Sequence, residues 1–198
     1  MQRLTRADLM SLEQYSSERV RLRREIIAHK ALRNVQVGPH MTWCFEDRDT
    51  IRYQVLEMLR AERIFESEGI QGELDAYNPL IPEGHNWKVT LLLEFPDAEQ
   101  RRTALGKLIG VEDRCWMAVG DMDRVFAIAD EDLERENDEK TSAVHFLRFD
   151  ASPSMIAALK NDAPLSVGVD HEYYRHSVSP LPLPVRDALR GDLDSEPA

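Results

Sequence analysis

Cysteine is scarce. Two in 198 residues are too few for the disulfide framework of a secreted scaffold. No run of about 18 apolar residues occurs, so no transmembrane helix is expected and no membrane is expected as a partner. The opening stretch, MQRLTRADLM, lacks the apolar core of a leader peptide, which makes the cytoplasm the expected location. Basic residues are outnumbered, 25 Lys and Arg against 36 Asp and Glu, for a net charge of -11. A phosphate backbone needs clustered Lys and Arg, so nucleic acid is not expected as a partner. Several chemical signatures are also missing. There is no G-x-G-x-x-G or G-x-x-x-x-G-K-[ST] for nucleotides, no G-x-S-x-G elbow and no H-E-x-x-H zinc helix. Both thiols sit in apolar strand contexts, Trp43-Cys44-Phe45 and Cys115-Trp116, which suits buried, inert cysteine.

What is present suffices for a core, since 42% of the residues are hydrophobic. Thr5 to Asp8 fits a capping pattern that opens a short helix. A second helix is expected after Ser16-Ser17, with Val20, Ile27 and Ala31 on one face and Leu22 and Ile26 beside it. Val35 to Val37 and Met41 to Phe45 flank the turn Gly38-Pro39-His40 and read as a hairpin. A long helix is expected from Asp49 through Glu68, closed by Gly69. Asp75 to Gly84 reads as a loop, because of its prolines and glycine. Strands follow over Trp87 to Phe95, Cys115 to Val119, Val125 to Ala129, Thr141 to Phe149 and Leu165 to Val169. Helices are expected after Asp97, at Ser152-Pro153 and near the end. The acidic run from Asp130 to Lys140 suits a solvated loop and lacks the spacing of an EF-hand calcium loop.

The fold class expected is α+β: N-terminal helices, with the long central helix packed on a mainly antiparallel sheet of about five strands. One domain is expected over residues 1–191, helix-rich over 1–84 and sheet-rich over 85–191, with a disordered tail over 192–198.

The long helix carries the main anomaly. At 100° per residue, Ile51, Val55, Met58, Leu59 and Phe65 form an apolar stripe, and Glu62 falls near its middle with Glu66 at its edge. A carboxylate facing a core costs several kcal/mol unless paired or neutralised (about that much by ion burial). Three solutions stay open: an ion pair with a cation such as Lys30 or Arg33, a metal held by Glu62 and Glu66 with histidines such as His145 and His171, or a protonated acid/base with Arg60 or Arg63 as anion contact. The metal reading has a weakness, since helical di-iron sites carry Glu-x-x-His and Phe65 stands where the histidine belongs. His145, flanked by Val144 and Phe146, equally suits a hydrogen-bonded strand histidine. On the opposite side of the helix, Glu57 and Arg60 are spaced to pair.

An ordered set of pieces adds a resemblance. It comprises His29-Lys30, Gly38-Pro39-His40, Phe45-Glu46-Asp47-Arg48, Gln54 with Glu57 to Arg60 and Glu62 to Ile64, and Tyr77 to Pro82. Later come Glu112-Asp113-Arg114, Ala129-Asp130-Glu131-Asp132 and Ser142 to Phe146. Together they resemble a bacterial family, domain of unknown function 3501, over nearly the whole chain apart from the C-terminal tail. The resemblance brings no established reaction. It implies a setting beside rubrerythrin-like and iron–sulfur proteins, hence a role near non-haem iron or peroxide defence, with iron or another divalent metal as cofactor and a non-haem iron or iron–sulfur protein as partner. Three functions follow as alternatives: a metal-linked or redox accessory protein, a non-enzymatic partner-binding protein (a homodimer among the options), or a small-metabolite enzyme using Glu62 as acid/base.

Overall fold

The computed structural model describes residues 2–131, 135 and 139–194. Most of the acidic run and residues 195–198 of the expected tail lie outside that set. Among the described residues are six α-helices and nine strands in two antiparallel sheets.

Ser11 and Gln14 form a capping box that opens α1 (Leu12–Lys30). The helix therefore starts before Ser16-Ser17, and the capping pattern at Thr5 opens only a 3-10 turn, Arg6–Asp8. β1 (Asn34–Gln36) and β2 (Met41–Glu46) form the expected hairpin, with Val35 opposite Trp43. Gly38 turns it at φ +76, a conformation that side chains rarely adopt. Asp47 caps α2 (Arg48–Glu62) by accepting from the amides of Asp49 and Thr50. α3 (Ser67–Tyr77) follows, then β3 (Asn86–Leu93), α4 (Ala98–Lys107), β4 (Cys115–Val119), β5 (Val125–Phe126), β6 (Ile128–Ala129) and β7 (Val144–Asp150). The chain ends with α5 (Pro153–Lys160), β8 (Leu165–His171), β9 (Tyr174–Val178) and α6 (Leu183–Arg190).

The first sheet runs β1-β2-β3-β7-β6 and the second β5-β4-β8-β9. Period-two alternation puts Met41, Trp43 and Phe45 of β2 on the buried side. Val89 and Leu91 of β3, Leu147 and Phe149 of β7, and Met117, Val167 and Val169 of the second sheet join them in one core. Trp43 and Phe149 stack there at 5.3 Å between ring centroids. The segment read as one strand, Val125 to Ala129, changes sheets at its middle: β5 pairs with β4, and β6 pairs with β7. The antiparallel strands expected are present, five in the first sheet and four in the second. The polar β9, which was not expected, lacks the apolar alternation that reveals a strand in sequence.

The long helix of the sequence reading is two helices. α2 stops at Glu62 because Arg63 turns left-handed at φ 57, while its amide and that of Ile64 both donate to Leu59 O. Gly69, expected to close the helix, lies inside α3, where a Cβ would come within 2.6 Å of Ile64. The stripe extrapolated past this break fails. Glu62 and Glu66 are exposed, as is Phe65 at 63%. α2 buries Ile51, Val55, Leu56 and Leu59, and Ile51, Val55 and Leu59 pack with Leu4, Leu74 and Ile81 in a second apolar cluster. The Asp75–Gly84 loop is also shorter than expected. α3 runs to Tyr77 and a 3-10 turn covers Asn78–Leu80, where the Asn78 amide exchanges hydrogen bonds with both backbone groups of Leu4.

Two further expectations change. On α1 only Tyr15 and Ile26 are buried, whereas Val20 is 84% and Ile27 59% exposed. The tail does not begin at Asp192. That residue is 3% exposed and held by Arg33 at 2.6 and 2.8 Å, and the Asp194 amide donates to Gly84 O at 2.7 Å. Composition alone could not show that Arg33 needed this distant carboxylate. No helix among the described residues is long and apolar enough to cross a membrane.

Candidate functional site

β7 turns His145 inward, opposite Leu91 of β3, and its side chain is fully buried. Asp130 follows β6 in a left-handed conformation, φ 47. There it extends the pairing with β7. Its amide donates to Phe146 O at 2.8 Å, and its Oδ1 accepts from the Phe146 amide at 2.9 Å. The same geometry places Asp130 Oδ2 2.6 Å from His145 Nδ1. The other ring nitrogen, Nε2, lies 2.9 Å from Thr141 Oγ1, 3.1 Å from Ser142 O and 3.7 Å from Glu112 Oε2. Glu112 opens the 3-10 turn Glu112–Arg114 and is 5% exposed. One ligand atom from each of Glu112, Asp130 and His145 falls within 4.8 Å of the others, and among the described residues this is the one His/Cys/Asp/Glu group so arranged. Arg135 lies alongside, its Nε 3.1 Å from Asp130 Oδ1 and its guanidinium over the Phe146 ring. Below the cluster, burial pushes the Cys115 thiol well up, and the charge of Glu112 adds to it. The thiol is buried, as its sequence context suggested.

Of the four ligands expected from the sequence, His145 alone belongs to this group. Glu62 ends α2 in solvent, and Glu66 precedes α3, its carboxylate 3.3 Å from the Phe65 amide. His171 closes β8 in a separate set of bonds, with Nε2 3.0 Å from Ile109 O and Nδ1 accepting from the Tyr173 amide. Arg60 is exposed. The partner foreseen for it, Glu57, is instead held by Arg19 through two 2.7 Å bonds and accepts the Tyr15 hydroxyl at 2.5 Å. Of the cations proposed for Glu62, Arg33 is engaged elsewhere. Arg33 bridges Asp47 and Asp192 in a buried knot that His29 joins through Asp47.

Sequence reasoning did not single out Glu112 and Asp130 as members of this cluster. The signal was present, since the three motifs Glu112-Asp113-Arg114, Ala129-Asp130-Glu131-Asp132 and Ser142 to Phe146 each supply one member of the cluster. Spacing could not reveal it, because 18 residues separate the first two and no local period connects them.

Fold and site together define an α+β protein of two antiparallel sheets with a histidine–carboxylate cluster buried at the edge of its core. The chain belongs to the family described as protein of unknown function (DUF3501), whose model matches residues 3–193. It is similar to a novel protein of unknown function from Burkholderia pseudomallei, known from a crystal structure at 1.90 Å. The two are 51% identical with a TM-score of 0.93 over 98% of this chain and 100% of that one. No curated protein matches the chain.

Proposed function

We propose that this is a metal-linked accessory protein that holds one divalent transition-metal ion at the His145 cluster. The observation that carries the reading is the division of labour on the imidazole. Nδ1 is clamped by Asp130 at 2.6 Å while Nε2 faces the buried Glu112 at 3.7 Å, and an ion there would replace the bonds that Nε2 makes with Thr141 Oγ1 at 2.9 Å and Ser142 O at 3.1 Å. A carboxylate behind a ligating histidine fixes its orientation and raises its basicity. His145 and Glu112 would therefore hold the ion, with Asp130 as the orienting group. One imidazole with carboxylate oxygens suits ferrous iron, manganese or zinc better than calcium. A bound ion there would act as a Lewis acid or an electron carrier, and the single histidine leaves positions for solvent or a partner's group. The family setting adds the partner, a non-haem iron or iron–sulfur protein in the cytoplasm.

Metal analysis of the untagged chain after anaerobic loading with ferrous iron tests this. About one equivalent is expected, lost in both His145→Ala and Glu112→Gln. Less than about a tenth of an equivalent in the wild type, after loading with iron, manganese and zinc in turn, overturns it.

The exposed Val20 and Ile27 on α1 favour a second reading, a non-enzymatic partner-binding protein. Co-purification of a stoichiometric iron protein that is lost in Val20→Glu but retained in His145→Ala would select it over the first.

A further inference from the structure

The outer face of the first sheet does not lie flat against the helices. Between it and the α2–α3 pair opens a cleft of about 370 Å³, within the range of small-molecule sites. Its walls are mostly apolar, with Met58, Ala76, Pro79 and Leu80 from the helical side and Phe146 from β7, and they also carry Glu73 and Glu131. Its floor carries two cations side by side, because the β3–β7 register sets Lys88 directly opposite Arg148. Like charges opposite one another across a sheet repel, so the pair needs anions.

Arg148 has its own. Its guanidinium makes two 2.9 Å bonds to Glu131 and a further bond to Asp150. Lys88 is half-buried, and among the described residues its ammonium has no hydrogen bond and no ion pair. Burial lowers its affinity for its proton, while the charges of Glu131 and Glu83 act the other way through space. On the opposite wall stands Glu73, whose carboxyl burial pushes up, with Glu62 adding to it. The result is a mostly apolar cleft whose floor holds a half-buried ammonium with no directly bonded partner among the described residues. A partly desolvated ammonium favours a hydrogen-bonded anion.

We infer that this cleft binds a small organic anion, a compact apolar body ending in one carboxylate or sulfonate held by Lys88. It lies on the face of β7 opposite His145, so it is independent of the metal reading.

The test is fluorescence titration of the full chain with anilinonaphthalene sulfonate and, in parallel, with the uncharged phenyl-naphthylamine of similar shape. One-to-one, saturable binding of the sulfonate is expected, displaced by octanoate. Lys88→Met should weaken the sulfonate by about tenfold or more, the scale of a charge-assisted hydrogen bond, while leaving the uncharged dye unchanged. Ala76→Trp, which fills the cleft from α3 without touching Lys88, should abolish both. It carries the test with octanoate displacement if Lys88→Met does not fold. No saturable sulfonate binding to the wild type, equal binding to Lys88→Met, or binding that survives Ala76→Trp overturns the inference.

Discussion

Replacing Asp192 with alanine removes one side of a deeply buried ion pair. Arg33 and Asp192 have side chains 6% and 2% exposed and meet through two bonds, at 2.6 and 2.8 Å. Without the carboxylate, two guanidinium nitrogens lose their acceptors where water does not reach. Breaking such a pair from one side costs about 3–5 kcal/mol. Asp47 Oδ2 still holds Arg33 Nε at 2.8 Å, which places the expected loss at the lower end, about 3 kcal/mol. The assay is urea unfolding. With a slope of about 2 kcal/mol/M, the midpoint should fall by about 1.5 M.

The slope should not change, because other bonds keep the C-terminal segment in place. Trp87 Nε1 donates to Leu189 O at 2.9 Å, and Lys160 Nζ donates to Arg190 O at 3.1 Å and Leu193 O at 2.6 Å. Asp192 and Asp47 hold the Arg33 guanidinium more firmly protonated, whereas burial pushes the Asp192 carboxyl up from 3.8 against the pull of Arg33. The native state then binds that proton more readily than the unfolded chain, so this group's contribution to stability falls as pH rises from about 3.8. It follows that Arg33→Met combined with Asp192→Leu, an apolar replacement of both partners, should recover stability to within about 1 kcal/mol of the wild type. A midpoint shift below about 0.5 M for Asp192→Ala, or a double variant as unstable as the sum of the singles, would refute the reasoning.

Three further outcomes are expected. Arg19 holds the Glu57 carboxyl down to about 2 from 4.5, so the native state gains stability from it above pH 4.5 and loses that gain as pH falls toward 2. Glu57→Gln should therefore be less stable at pH 7 by about 2 kcal/mol, allowing for its partial exposure, and thermal melts should converge with the wild type in acid; a difference independent of pH counts against this. Arg63→Gly relieves the left-handed conformation and should raise the melting temperature by about 2–4 °C, whereas a drop would place the stabilising role in the arginine side chain. Gly168→Ala sets a Cβ 2.4 Å from Trp116 Cζ2 and 3.0 Å from His176 O. It should cost about 2 kcal/mol or more and shift tryptophan emission, and an unperturbed spectrum would show that Trp116 can move aside.

Legibility varied with the range of the interaction. The hairpin at Gly38, the helix opening at Asp97 and the Pro153 helix start depend on neighbours within a few residues, and each stood in the sequence. The central helix shows where such reading stops. Its apolar period continues through Phe65, but one left-handed residue at Arg63 redirects the chain and carries Glu62 into solvent. The candidate site divided the same way. His145 was visible as a polar residue in an apolar strand, while the carboxylates that meet it come from a 3-10 turn and the end of a two-residue strand.

The sequence by itself determined the α+β class, most helix starts, the strands that alternate cleanly and the family membership, because local sterics, capping and period-two burial act over a few residues. Only the tertiary structure decided that the sheets are two, that Asp192 lies buried on Arg33, and that Glu112, Asp130 and His145 converge while Glu62 does not. Those outcomes depend on which distant surfaces close over one another, and a buried charge finds its partner wherever the fold brings one.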